Sequence, residues 1–123
     1  MDDKVLDDKL KEKVELSILF DFYGELLKDH NKRIFEDYIL NDLSLSEIAE
    51  EQGISRQGVF DIVKRCSKQL KDCEDKLCLV KKFEKTKEDV IRIKELSIQI
   101  KNETRISHLD EIIKLTDNIL KDL

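Results

Sequence analysis

Apolar residues recur every three or four positions along almost the whole chain, which is the spacing of amphipathic helices. The first stripe covers residues 14–27, and Leu6 and Leu10, in register with it, either extend this helix or lie in a frayed end. Asp29 is placed to cap a second short helix, whose apolar positions lie within residues 34–40. The pattern predicts a protein built from helices.

Four aromatic residues fall within these first two stripes. Because all of them lie at apolar positions, we expect them to pack where the two helices cross and not to form a platform for stacking bases. They are Phe22, Tyr23, Phe35 and Tyr38.

The next stretch has the pattern of two helices joined by a tight turn. Ser44 and Glu47 form a capping-box pattern that starts the first of them. Gly53 stands where that helix has to stop and tolerates a left-handed backbone, and Ser55 caps the next helix two residues later. Helices joined so closely cross steeply, which requires a small side chain at the contact, and Ala49 supplies it. The sequence predicts a helix-turn-helix.

The two helices of this motif share a predicted apolar core. It departs from the general motif at Gln52, a place usually filled by an apolar residue, so we expect the crossing to be more exposed there. The predicted core residues are Ile48, Ile54, Val59 and Ile62.

Beyond the motif the sequence predicts long helices and leaves their arrangement open. With no glycine after Gly58, the second helix of the motif either runs on past its usual length or bends near Asp72, and a helix over 75–101 is expected. A strict heptad pattern runs from 106 to 123, and a reversal is expected within 102–107, with Ser107 as a cap. We predict a domain over 1–72, with the helix-turn-helix at 44–71, and a C-terminal extension or hairpin over 73–123.

These C-terminal helices carry more apolar surface than one short partner helix covers. They either fold back on the domain as a bundle or pair with another chain. The sequence favours the second alternative, a homodimer or a partner-binding arm formed through the C-terminal helices.

Composition supports the all-α class and points away from an enzyme. The chain has no proline, three glycines and 41% charged residues, against about 25% charged in an ordinary soluble domain. Cys66, Cys73 and Cys78 have neither disulfide nor zinc spacing, and His30 and His108 lack a catalytic pattern around them. We expect no catalytic residue, no metal and no cofactor. With no long apolar run and an acidic start, we expect a cytoplasmic protein without membrane insertion.

Charge is distributed unevenly about the motif. Residues 1–51 carry 7 basic and 15 acidic groups, whereas residues 52–123 carry 16 basic and 13 acidic groups. Residues 54–71 include five basic residues and one acidic residue. A local basic surface is therefore compatible with the overall charge of −5.

The second helix of a DNA-reading helix-turn-helix enters the major groove with its first residues on base edges. Arg56 suits guanine and Gln57 suits adenine, while Asp61 and the glutamates of the preceding helix oppose phosphate. The alternative is that the same fold docks on a protein or a ribonucleoprotein. The candidate DNA-binding residues are Ser55, Arg56 and Gln57 at base edges and Lys64, Arg65 and Lys68 at phosphates.

Several segments resemble the YlxM-like family of bacterial helix-turn-helix proteins: residues 20–23, 42–51, 54–61 with Lys64-Arg65, 76–77 and 82–83. The resemblance covers about 14–85, with Gly58 where alanine is expected and His30 where proline is expected. It implies an all-α fold similar to region four of bacterial sigma factors, without a wing. It also implies a regulatory role linked to the signal recognition particle GTPase, with that particle's protein or RNA as a partner.

Overall fold

The computed structural model describes residues 3–104 and 108–123, and within them all regular secondary structure is helical. The chain divides into two compact units, Met1–Cys78 and Leu79–Leu123. None of the described helices is long and apolar enough to cross a membrane. The helices are α1 (Asp3–Tyr23), α2 (Asp29–Ile39), α3 (Leu45–Gln52), α4 (Arg56–Leu77), α5 (Leu79–Thr104) and α6 (His108–Asp122).

The first two helices differ from their predicted ends. Leu6 and Leu10 do extend α1, although both remain well exposed. This helix stops at Tyr23 and is followed by a 3₁₀ turn, Gly24–Leu26. Asp29 was wrongly predicted as a cap: Lys28 holds that position without a side-chain hydrogen bond, and Asp29 begins α2. A carboxylate in the first turn still interacts favourably with the helix dipole there.

The first unit closes a core among α1, α2, α3 and α4. Phe20 packs on Phe35 with ring centroids 5.6 Å apart, and Phe35 is fully buried. The predicted aromatic cluster is therefore only partly right, since Phe22 remains 36% exposed and lies beside Tyr23 instead. The largest fully buried side chains in the core of the first unit are Tyr23, Phe35, Ile34, Ile48, Leu70, Val59 and Cys66.

The helix-turn-helix forms where the sequence predicts it. Its tight turn, residues 53–55 between α3 and α4, is called the corner below. The Ser44 hydroxyl accepts from the Glu47 amide at 3.1 Å, and the Glu47 carboxylate accepts from the Ser44 amide at 3.2 Å, which completes the capping box. Gly53 ends α3 with φ +69°, the left-handed conformation that glycine adopts at low cost. Ala49 is buried at the crossing, so the predicted tight turn is confirmed.

The predicted apolar core of this motif is also present. Ile48 and Val59 are fully buried, and Ile54 and Ile62 are half-buried. Gln52 is half-buried at the last position of α3. The two helices of the motif therefore share one core, whose outer members remain in partial contact with solvent.

The long helix after the corner passes Asp72 and ends at Leu77, and Cys78 then takes a left-handed conformation with φ 55°. A continuous helix over 75–101 was therefore a wrong prediction, because the backbone breaks at a residue without a glycine or proline signal. The hydroxyl of Tyr23 donates to the Glu74 carboxylate at 2.6 Å, which ties the last turn of α4 into the first unit.

The second unit is an antiparallel pair of helices, α5 and α6. Lys94 contacts Asp117 at 2.5 Å, and Lys101 contacts Asp110. α5 ends at Thr104 and α6 begins at His108, so the first part of the predicted reversal, 102–104, is helical. The rest of it, with the predicted cap Ser107, lies outside the described residues. The buried residues of this seam are Val90, Ser97, Leu109 and Thr116.

Candidate nucleic-acid interface

The corner presents the leading end of α4 to solvent. Ser55 accepts a hydrogen bond from the Gly58 amide at 2.9 Å and thereby caps the helix. Its hydroxyl is thus engaged in fixing the helix start, which positions the two side chains that follow. Arg56 and Gln57 are both exposed. Within residues 3–104 and 108–123 no ion pair involves Arg56, so its guanidinium is available to an external acceptor.

Gln57 is held by its own helix. Its side-chain amide nitrogen donates to the Asp61 carboxylate at 3.0 Å, one turn further along. This contact leaves the amide oxygen free to accept and partly occupies the donor that an adenine would need. It also binds Asp61, the residue that opposes phosphate, to a neutral neighbour. A ligand that accepts a hydrogen bond from the Gln57 amide therefore competes with the Asp61 carboxylate for that donor.

The three predicted phosphate-binding residues are exposed but do not share one stripe. Phe60, Lys64 and Lys68 follow one another at intervals of four residues and line one side of α4. Arg65 does not lie on that side of α4. It shares a separate shallow depression with Lys68 and Lys76. Lys64 and Lys68 are thus placed together, and Arg65 reaches a different part of any long ligand.

A groove of about 720 Å³ runs along the Lys64 side of α4, between α4 and α1. Leu45 and Phe60 contribute apolar surface to it, and Phe60 is 44% exposed. The same two residues also border the depression beside Arg56 and Gln57. The apolar surface is therefore continuous with the leading end of α4.

Sequence reasoning missed three further lysines of this groove: Lys9, Lys13 and Lys71. The Lys13 ammonium lies 4.7 Å from the ring centroid of Tyr38 and 3.2 Å from the Asp42 carboxylate. Lys9 and Lys13 are four apart on α1, so their common face was readable. That this face lies beside α4 depends on packing across the core, for which the sequence holds no local signal.

Negative charge lies close to the same surface. Glu47, Glu50 and Glu51 are exposed on α3, the helix that precedes the corner. In a DNA complex these carboxylates approach phosphates and weaken binding at physiological salt. The surface around the corner is consequently divided, with acid on α3 and base along α4.

All three cysteines of the chain lie in the first unit. All three are free, and Cys66 is buried against the core. Burial raises the pKa of the Cys66 thiol, and the nearby Arg65 charge opposes that rise. Across the described part of the chain, no three His, Cys, Asp or Glu residues converge as a metal site.

Comparison with known proteins identifies a family with this sequence pattern. The family described as "Putative helix-turn-helix protein, YlxM / p13 like" (UPF0122) matches residues 10–118. The chain belongs to this family. The match extends beyond the 14–85 predicted from the motif residues, so α5 and most of α6 are part of the YlxM-like pattern.

Curated relatives of the YlxM-like family cover most of the chain. The UPF0122 protein YlxM of Bacillus subtilis (strain 168) is 42% identical over 108 residues, which is 88% of this chain and 98% of that protein. The UPF0122 protein of Clostridium novyi (strain NT) is 38% identical over 114 residues, 93% of each chain. Both comparisons span the helix-turn-helix and the C-terminal helices.

Proposed function

We propose that this YlxM-like protein is a non-enzymatic, cytoplasmic regulatory protein that binds DNA through its helix-turn-helix. Arg56 and Gln57 would contact base edges, and Lys64, Arg65 and Lys68 would contact phosphates. The observation that carries the proposal is the capped, exposed start of α4, where Arg56 has no ion pair among the described residues. An arginine in that place can make a bidentate contact with guanine.

The direct test is the affinity of the full chain for DNA as salt is varied. Three phosphate contacts give a log–log salt slope of about −2 to −3. Replacing Lys64 and Lys68 together should make that slope shallower by about two units and weaken binding on every sequence alike. Binding that does not change with salt would contradict the proposal.

Arg56→Ala should instead act on one base position, with a loss of about 1–3 kcal/mol in discrimination there. Arg92→Ala is the matched control, because Arg92 is an exposed arginine on α5 that pairs with Glu95. The control should bind as the wild type does. Equal loss on all DNA sequences for Arg56→Ala would remove its assigned role as a base reader.

A second function is favoured by the exposed Phe60 and the acidic face of α3. Together they suit a protein or ribonucleoprotein surface better than bare phosphate. In this alternative the protein docks on the signal recognition particle and changes the hydrolysis rate of its GTPase. Phe60→Ala should then abolish both the rate change and co-elution with the particle. If neither effect occurs with the wild-type protein at micromolar concentration, this alternative fails.

We further propose that the protein acts as a homodimer through its C-terminal helices. A symmetric dimer of helix-turn-helix units binds two half-sites related by the same two-fold symmetry. The DNA sites selected by the wild-type chain should therefore be inverted repeats. Single, unrepeated sites would count against dimeric binding, although not against DNA binding itself.

A further inference from the structure

The second unit leaves a row of large aliphatic side chains in solvent on each of its helices. Ile93, Leu96 and Ile100 of α5 are 48%, 39% and 44% exposed. On α6 the exposed residues repeat the same spacing of three and four. These are Ile112, Leu115 and Ile119.

Both rows lie on the same side of the hairpin. Leu96 directly precedes the buried Ser97, and Leu115 directly precedes the buried Thr116. Each row is therefore turned by the same amount, in the same sense, from the seam between the helices. In an antiparallel pair, equal turns of this kind point to one common face. We call this face the aliphatic face, and it consists of the six residues just named.

The two ion pairs that join α5 to α6 lie on the opposite side of the hairpin. Asp110 and Asp117 each follow a buried seam residue instead of preceding one, and they meet Lys101 and Lys94. Charge is not confined to that side, because the Lys85–Asp89 pair of α5 lies on the side of the aliphatic rows, before Ile93. Within 93–100 and 112–119, however, only aliphatic side chains lie on the aliphatic face.

The seam between α5 and α6 buries only a small part of the apolar surface of these helices. Of the four residues that are buried in the described part of the hairpin, Ser97 and Thr116 are polar. Ser97 bonds to the Ile93 carbonyl at 2.8 Å, and Thr116 bonds to the Ile113 carbonyl at 2.7 Å, so both are satisfied within their own helices. A two-helix unit of this size rarely forms a sufficient core by itself and is usually completed by another layer.

We propose that the aliphatic face binds the aliphatic face of a second copy of this chain, so that two hairpins form a four-helix bundle. Six side chains that are 39–54% exposed present on the order of 400–500 Å² of apolar surface. A standard interface buries about 800 Å² per partner, of which roughly 65% is apolar in homodimers. The area of the face therefore fits the demand of a stable dimer.

A second copy also fits the symmetry of the face. A two-fold dimer needs a surface that is complementary to itself. Two antiparallel helices with matched aliphatic rows and no charge between them meet this requirement, and the bundle is a common packing solution for such pairs. The inference names the surface for the proposed homodimer and is independent of DNA binding.

The test is the molar mass of the full chain in solution, without nucleic acid, by sedimentation equilibrium from micromolar to near-millimolar concentration. The wild type should approach twice its 14.5 kDa mass. Leu96→Glu should remain a monomer throughout. Ile98→Glu is the matched control, since Ile98 is equally exposed on α5, at 38%, but lies off the aliphatic face, and it should remain dimeric.

Two milder variants keep the test decisive if Leu96→Glu disturbs the helices. Leu96→Ala and Leu115→Ala only remove contacts and should each weaken the dimer by about tenfold or more, with unchanged helicity by circular dichroism. A monomeric wild type at all concentrations would overturn the inference. So would a dimer that survives Leu96→Glu or responds equally to Ile98→Glu.

Discussion

Both units of this chain are built from helices with apolar residues at helical spacing, yet among the described residues only the first unit has fully buried apolar side chains. In the first unit four helices meet, and Ile34, Phe35 and Ile48 have no exposed surface. In the second unit two helices meet, and the most deeply buried of its described residues are Ser97 and Thr116 at 6% exposure. Helical periodicity determines which face of a helix is apolar, but the number of neighbouring helices determines whether that face is covered.

The largest predicted effect contrasts the two cores. Phe35→Ala should lower the free energy of unfolding of the first unit by about 3–5 kcal/mol, because a fully buried ring leaves a cavity in contact with Phe20. Leu109→Ala in the hairpin should cost less, since that side chain lies at a seam with one neighbouring helix. Denaturant titrations monitored by circular dichroism measure both. Equal losses would show that the hairpin is as well packed as the first unit.

A smaller effect tests where the first unit ends. A fragment of residues 1–78 keeps the hydrogen bond from Tyr23 to Glu74, whereas a fragment of residues 1–72 loses it. The shorter fragment should be less stable by about 1.5–3 kcal/mol, the usual contribution of a hydrogen bond to a charged group. Glu74→Ala in the longer fragment is the control and should reproduce most of the loss. Two equally stable fragments would support the division at residue 72.

The smallest predicted effect concerns the corner, which sets the direction of α4 relative to α3. Gly53→Ala should cost about 1–2 kcal/mol, because an L-residue is strained at φ +69°. An added Cβ meets no atom within 4 Å, so the loss reports backbone strain alone. Gly53→Asn should cost less, since asparagine tolerates this conformation. If alanine and asparagine cost the same, the left-handed turn is not what fixes the corner.

The helix-turn-helix could be predicted because its determinants are local. Ser44, Glu47, Gly53 and Ser55 act on backbone groups within a few residues, so their spacing in sequence already specifies their geometry. The candidate residues Arg56 and Gln57 follow from the same corner, and their exposure matches the prediction. What they bind is a separate prediction, which rests on their chemistry.

The remaining features depend on contacts that are distant in sequence or on conformations without a residue signal. Cys78 adopts a left-handed conformation that glycine usually fills, so nothing in the sequence marked the break between α4 and α5. Phe20, and not Phe22, meets Phe35, because the rotation of α1 is set by packing across the core. The groove lysines of α1 lie beside α4 for the same reason.

The measurement that tests the account most directly is selection of DNA by the full chain from a random-sequence pool, followed by the same selection with Arg56→Ala. The account predicts that the wild type enriches a defined sequence. It also predicts that the variant loses preference at one base position of each half-site while keeping the others. A wild-type protein that enriches no sequence, or a variant that enriches the same sequence unchanged, would contradict the assignment of the α4 start as a reader of DNA.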